Sequence, residues 1–178
     1  MKAYLIMANG FEEMEAMYPV SILRAVGCYV TTVSITGDRN VLGSHGINII
    51  ADTLLNDIEV KDADVIILPG GQPGTNNLAK SEQLKGILDY YYHNKTIASI
   101  CAAPSILGRM GMLKNRKSVC YPGYESELDG AIIPDSKVAV DGNIITAIGP
   151  GATKEFALAI VKQLGTSEEY NKALDLYT

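Results

Sequence analysis

The sequence predicts an α/β chain built on a mostly parallel, doubly wound sheet with an added β-hairpin, and three observations predict it. Short β-branched runs alternate with longer stretches of helical period, the order of a βαβ fold. Residues 64–68 (DVIIL) are apolar without alternation, as a strand covered on both faces must be. Asp141 and Gly142 separate two short apolar runs, and Asp-Gly in that position is a hairpin turn.

The elements follow in order. Residues 3–8 form the first strand, and Asn9 and Gly10 turn the chain. From 12 to 26 the apolar positions Met14, Met17, Val20, Ile22, Leu23 and Val26 lie mostly three or four apart, so a helix follows, with a kink or late restart expected at Pro19 and its end at Gly27. Residues 28–35 are the second strand, 37–40 a turn, and 47–51 a further short strand. The buried run 64–68 leads into a Pro/Gly-rich turn over 69–74. A helix over 81–94 has Ser81 as its cap and a period through Leu84, Ile87, Leu88 and Tyr91. Residues 96–100 make a buried strand, and Pro104 opens a helix. Short strands are expected at 117–120 and 131–133, then the hairpin of 138–140 and 144–146. A helix over about 152–164 and one more short helix in the last dozen residues complete the chain.

Composition narrows the function. The 178 residues suit one domain, 47% of them hydrophobic and 20% charged, which supplies a core and excludes disorder. A net charge of -5 with no basic stripe argues against nucleic acid or an anionic membrane as partner. The first eight residues are too short an apolar run for a secretory signal, and no run approaches the roughly 20 residues of a membrane span. Three cysteines without ligand spacing fit a reducing cytoplasm and argue against structural zinc; with two histidines, no metal and no cofactor are expected.

Chemistry concentrates at Cys101, where the strand 96–100 turns into the helix opened by Pro104. Ser99 and Ala103 are small, as a tight strand-to-helix elbow requires. A thiol there faces the positive end of a helix, which favours thiolate. Ligands of such sheets bind outside the carboxyl ends of the strands, and three breaks fall there: residues 9–15, Gly70 with Gly71, and Cys101. Glu15 is spaced to share the helix face that packs on the sheet, while Glu13 points outward. Buried near a thiol, the Glu15 carboxyl would stay protonated and donate a hydrogen bond to the thiolate. The N–H groups of Gly70 and Gly71, with that of Ala102, can form an oxyanion site. Neither a Walker lysine nor GxGxxG spacing is present, so this is no phosphate cradle. A histidine base for Cys101 would have to be His45 or His93, and His93 sits at the polar end of a helix. Tyr90, Tyr91 and Tyr92 read as helix packing, and Cys28 as core.

Four blocks carry a resemblance: residues 10–15 (GFEEME), 68–71 (LPGG), 98–104 (ASICAAP) and 149–157 (GPGATKEFA). In that order and spacing, across nearly the whole chain, the sequence resembles the ThiJ/PfpI superfamily, and within it the DJ-one-like deglycase branch. The resemblance implies a flavodoxin-like three-layer α/β/α sandwich, one domain over 1–178 of class I glutamine amidotransferase-like type, and a homodimer. It implies Cys101 as nucleophile, Glu15 as the acid on its sulfur, Gly71 and Ala102 as oxyanion donors, and Gly149 with Pro150 beside the site and the dimer interface. Family activities are glyoxalase or deglycase chemistry on small reactive carbonyls such as methylglyoxal, and redox sensing through cysteine sulfinate. One position departs from the pattern. Where relatives place a histidine before proline, this chain has Tyr121, a phenol and a poor general base at neutral pH. A Cys-His dyad, and the protease activity tied to it, are therefore not carried over; Glu15, or Tyr121, is left to move a proton. The class I glutaminase reading also fails, because no His-x-Glu pair follows Cys101.

Overall fold

The computed structural model describes residues 1–177. Its seven-stranded sheet contains β1 (Lys2–Met7), β2 (Tyr29–Ser34), β5 (Thr53–Leu54), β6 (Val65–Leu68), β7 (Thr96–Ile100), β8 (Val138–Asp141) and β9 (Ile144–Ala147), in the order β5-β2-β1-β6-β7-β9-β8. All neighbours are parallel except the edge strand β8, which pairs with β9 through the expected hairpin. A separate antiparallel pair joins β3 (Asn40–Leu42) to β4 (Asn48–Ile50).

Alternating side chains of the central strands feed two cores. Leu5, Met7, Ile67, Ala98 and Ile145 pack with α1 (Glu13–Ala25), α5 (Thr153–Leu164) and Ala173 of α6 (Ser167–Tyr177). Ile6, Ile66, Leu68, Ile97 and Ile144 pack with α2 (Gly74–Ala79), α3 (Glu82–Asn94) and α4 (Pro104–Arg109). Helices therefore cover both faces, which is why the central strands read as unbroken apolar runs. The result is a flavodoxin-like α/β/α sandwich. The chain leaves β1 in one direction to β2 and in the other to β6, so the order reverses beside β1, and the loops after β1, β6 and β7 converge on one crevice.

Several expectations change. Residues 117–120 and 131–133 form no strands; one parallel bridge, Lys117 to Ile132, is all that joins them. Ser118 N–H donates to the Ile132 carbonyl at 3.0 Å and Ile132 N–H to the Arg116 carbonyl at 2.9 Å, while the donors on the other edge go to side chains, Lys117 N–H to Asp141 Oδ2 at 2.9 Å and Val119 N–H to Thr146 Oγ1 at 2.9 Å. Asn40, placed in a turn, opens β3, and the strand expected over 47–51 is the shorter β4. Helix α2 arises inside the Pro/Gly-rich stretch, without a side-chain cap. Pro19 lies within α1 and does not end it, although its missing N–H leaves the Glu15 carbonyl without its helical donor. Tyr91 is fully buried, Cys28 is core and His93 is exposed. No described helix is long and apolar enough to cross a membrane.

Candidate active site

The carboxyl end of β7 places Cys101 at a sharp bend with φ +65°, a left-handed conformation that costs a non-glycine residue energy. Two backbone bonds hold it there. Its N–H donates to the Ala147 carbonyl at 2.9 Å, and its carbonyl accepts from Tyr121 N–H at 2.7 Å. Ser99 and Ala103 are fully buried on either side, so the small residues of the motif serve the close packing of the bend.

Glu15 reaches the same point from the first turn of α1 and is completely buried. The start of α1 is fixed by Glu12, whose N–H donates to the Gly70 carbonyl at 2.9 Å and whose Oε2 accepts from Glu15 N–H at 2.7 Å. Gly70 N–H donates to Glu15 Oε2 at 2.9 Å. A β-carbon on Gly70 would lie 2.5 Å from Cys101 Cβ, 2.6 Å from Glu15 Oε2 and 3.0 Å from Sγ, so only glycine leaves room for acid and thiol to meet. Gly71 is at φ +88° and would drive a side chain into the Glu12 backbone. The N–H groups of Gly71 and Ala102 favour the anionic form of the Cys101 sulfur, and the Glu15 carboxyl beside it acts on the same atom.

Burial dominates the electrostatics. It pushes the Glu15 carboxyl up to about 7, against the pull of its bonds from Cys101 and Gly70 and with the help of the Glu12 charge. Burial also pushes the Cys101 thiol up to about 12, aided by the Glu15 charge and contact and opposed by the N–H groups of Gly71 and Ala102. The lowered thiol expected from the helix end is thus overturned: six-residue α4 offers less than desolvation removes. Two of the causes that hold the thiol up exist only while Glu15 is ionised. Once Glu15 carries the proton it becomes a donor to sulfur, and the two groups share one proton as a pair. A reactive thiolate is therefore one local proton transfer away.

The second Glu15 oxygen, Oε1, is buried with no hydrogen-bond partner. It faces Gly149, at φ +151°: a β-carbon there would stand 3.8 Å from Oε1 and 3.1 Å from Cδ2 of Tyr121. Tyr121 itself is 46% exposed. Cys101, Glu15, Gly70, Gly71 and Ala102 are thus brought together, with Tyr121 and Gly149 bordering them. Pro150 stands one step outside, opening a 3-10 turn whose first carbonyl accepts from the Thr153 hydroxyl at 3.0 Å.

Glu13 does not point outward. It is buried, and its carboxylate accepts from His45 N–H at 2.8 Å, Ile47 N–H at 3.3 Å, the Ser44 hydroxyl at 3.3 Å and His45 Nδ1 at 2.8 Å. Helical period cannot foresee a loop that folds over a helix start. The turn-forming run 43–46 (GSHG) was the available signal. His45 is spent on this clamp, so neither histidine serves Cys101. Among the described residues, Glu12, Glu13 and His45 each offer a ligand atom within 4.8 Å of the others.

A model of the DJ-1/PfpI family matches residues 1–163. The chain is 38% identical over 166 residues to Protein DJ-1 homolog B of Arabidopsis thaliana, covering 92% of this chain and 38% of that longer protein, so it spans about two fifths of that relative. It is 29% identical over 166 residues to a protein of Pyrococcus horikoshii named as a deglycase, covering 92% of this chain and 99% of that one. The structure of oxidized DJ-1 from Toxoplasma gondii superposes with a TM-score of 0.91 at 30% identity, covering 98% of this chain and 97% of that one. With the elbow, the acid and the glycine pair each where the four sequence blocks put them, the chain belongs to the DJ-1/PfpI family.

Proposed function

We propose that the chain is a cysteine-dependent enzyme acting on small reactive carbonyls, glyoxalase- or deglycase-like. One observation carries the reading: a buried carboxyl and two backbone N–H groups converge on a single elbow sulfur. Proton transfer from thiol to Glu15 frees the thiolate, which adds to the aldehyde carbon of a dicarbonyl such as methylglyoxal. The new C–S bond moves negative charge from sulfur to the former aldehyde oxygen, where the N–H groups of Gly71 and Ala102 meet it. That oxygen takes the proton from Glu15, giving a hemithioacetal. Glu15 then removes the proton from the sulfur-bearing carbon and returns it to the neighbouring carbon, while the hydroxyl proton passes from the first oxygen to the former keto oxygen, turning the hemithioacetal into the thioester of lactate. Water cleaves the thioester to lactate and restores the thiol. The deglycase name of the Pyrococcus relative supports this class of substrate. Purified protein incubated with methylglyoxal is expected to form lactate, and Cys101→Ser to form none; equal turnover by both would remove the reading.

A second reading, a non-catalytic redox module oxidised at Cys101, is favoured by the same N–H groups, which can hold the oxygens of a sulfinate. Mild peroxide should then oxidise Cys101 before Cys28 or Cys120 in mass spectra. A homodimer is proposed on the exposed apolar side chains Met14, Leu42, Ile47 and Ile50 of α1 and the β3–β4 hairpin, tested by light scattering. A cytoplasmic setting is supported by three unpaired cysteines.

A further inference from the structure

Glu12 caps α1, Glu13 opens it, and the loop of residues 43–47 brings His45 over both. The two carboxylates are divided in the same way. Glu12 Oε2 is taken by Glu15 N–H at 2.7 Å, and Glu13 Oε1 by the N–H groups of His45 at 2.8 Å and Ile47 at 3.3 Å. The other two oxygens face one imidazole nitrogen: Glu13 Oε2 lies 2.8 Å from His45 Nδ1 and Glu12 Oε1 lies 3.9 Å from it. Glu13 Oε2 also accepts a long bond, 3.3 Å, from the Ser44 hydroxyl. Glu12 is 9% exposed, and its Oε1 accepts no hydrogen bond among the described residues. Gly43 lets the loop come this close, because a β-carbon there would collide with the Glu13 carboxylate. The His45 side chain is 68% exposed, which leaves the group open to solvent on one side.

We propose that Glu12 Oε1, Glu13 Oε2 and His45 Nδ1 form a binding site for a divalent metal ion of the zinc type. Charge favours it. Two carboxylates face one imidazole, and among the described residues no lysine or arginine pairs with either, so negative charge is left over even when the ring is protonated. Geometry favours it too. An ion at about 2.1 Å from each ligand needs ligand atoms roughly 3–4 Å apart. The separations of 2.8 and 3.9 Å, with one ligand atom from each residue within 4.8 Å of the others, come near that with small side-chain shifts. The backbone N–H groups on the remaining carboxylate oxygens fix both acids before any ion arrives, the part that outer partners play in metal sites. An imidazole among the ligands selects zinc or a neighbouring transition metal over magnesium or calcium, and the lack of a thiolate selects against copper(I). Three protein ligands leave a position for water on the exposed side. On binding, the ion takes the place of the proton between His45 Nδ1 and Glu13 Oε2, and that proton passes to solvent. Spacing along the chain argued against a metal because the third ligand comes from a loop 32 residues beyond Glu13. The site shares no ligand with the Cys101 centre and stands whether or not the carbonyl chemistry does.

The test titrates wild type, Cys101→Ser, His45→Ala and Glu12→Gln with zinc chloride by calorimetry. Cys101→Ser removes the thiol that could itself take zinc, so a site present in wild type and in this variant alike lies elsewhere. In parallel, isotope-labelled wild type is titrated with cobalt chloride, a paramagnetic stand-in for zinc, while its amide signals are followed. The expected result is zinc binding that persists in Cys101→Ser and weakens at least about tenfold in His45→Ala and in Glu12→Gln. Cobalt should broaden first the amides of residues 12–15 and 43–47. That readout uses no variant, so it decides the matter even where a substitution disturbs the loop. The site would be overturned by the absence of any zinc binding, by binding that vanishes in Cys101→Ser, or by binding unweakened in either of the other variants. Broadening centred on another part of the chain would overturn it as well.

Discussion

At the scale of single residues, Glu15 is the group from which most consequences follow. Its folded carboxyl is raised from 4.5 to about 7. Between those values the unfolded chain has lost a proton that the native state keeps, so stability falls as pH rises from about 4.5 to about 7 and stays lower above that. Removing the charge should reverse the penalty. Glu15→Gln is expected to gain on wild type by up to about 3 kcal/mol between pH 5 and pH 8, measured by urea unfolding at each pH. The same residue governs the sulfur. Alkylation of Cys101 by iodoacetamide should rise with pH through about 7 in wild type, as the pair gives up its first proton. In Glu15→Gln that inflection should move upward, because the shared site is gone and only the buried thiol titrates. An unchanged profile would mean that acid and thiol are not coupled. Gly70→Ala places a methyl where acid and thiol meet, and is expected to cost about 1–3 kcal/mol in denaturant unfolding and to abolish most Cys101 reactivity.

Elements matter through what holds them together. The start of α1 is tied to the β3–β4 hairpin by the Glu13–His45 clamp, which keeps the loop of residues 43–47 beside the helix carrying Glu15. Glu13 is held below the usual carboxylate range: burial works against this, and the bonds from the His45 ring and backbone outweigh it. His45 is raised, chiefly by its bond to Glu13. The charged pair therefore exists above the lowered Glu13 value and is lost as pH rises through the raised His45 value. Glu13→Gln should abolish the pH dependence of hydrogen-exchange protection at the His45 and Ile47 amides and lower it throughout. Protection that still varies with pH as in wild type would assign it to another group. The clamp also shows where sequence reasoning stops. Period alone put Glu13 on the outer face of its helix, and only a loop contributed from about thirty residues downstream turns that face into an interior. The failed strand near Lys117 teaches the same lesson, since the N–H groups of Lys117 and Val119 go to the side chains of Asp141 and Thr146, in a hairpin further along the chain.

Across the whole molecule, the sheet decides which cysteines can meet. Cys101 and Cys120 lie in different cores, on opposite faces of the sheet, and Cys28 precedes β2 at the amino end of the strands while Cys101 follows β7 at the carboxyl end. Oxidation of Cys101 is therefore expected to proceed without an intramolecular disulfide, as non-reducing peptide mapping after peroxide would show.

The strands β1, β2, β6 and β7, the helices α1, α3 and α5, and the hairpin of β8 and β9 were determined by the sequence itself, because each is written in local period and in turn residues that act over a few positions. So were the candidates Cys101, Glu15, Gly70 and Gly71, since small residues and an inward-spaced acid leave a local trace. The tertiary structure alone decided the state of the sulfur. Desolvation, the free Oε1 of Glu15, the Tyr121–Gly149 boundary and the Glu13 clamp depend on which distant loops close over a residue, and the free energy of a buried charge is set by everything around it.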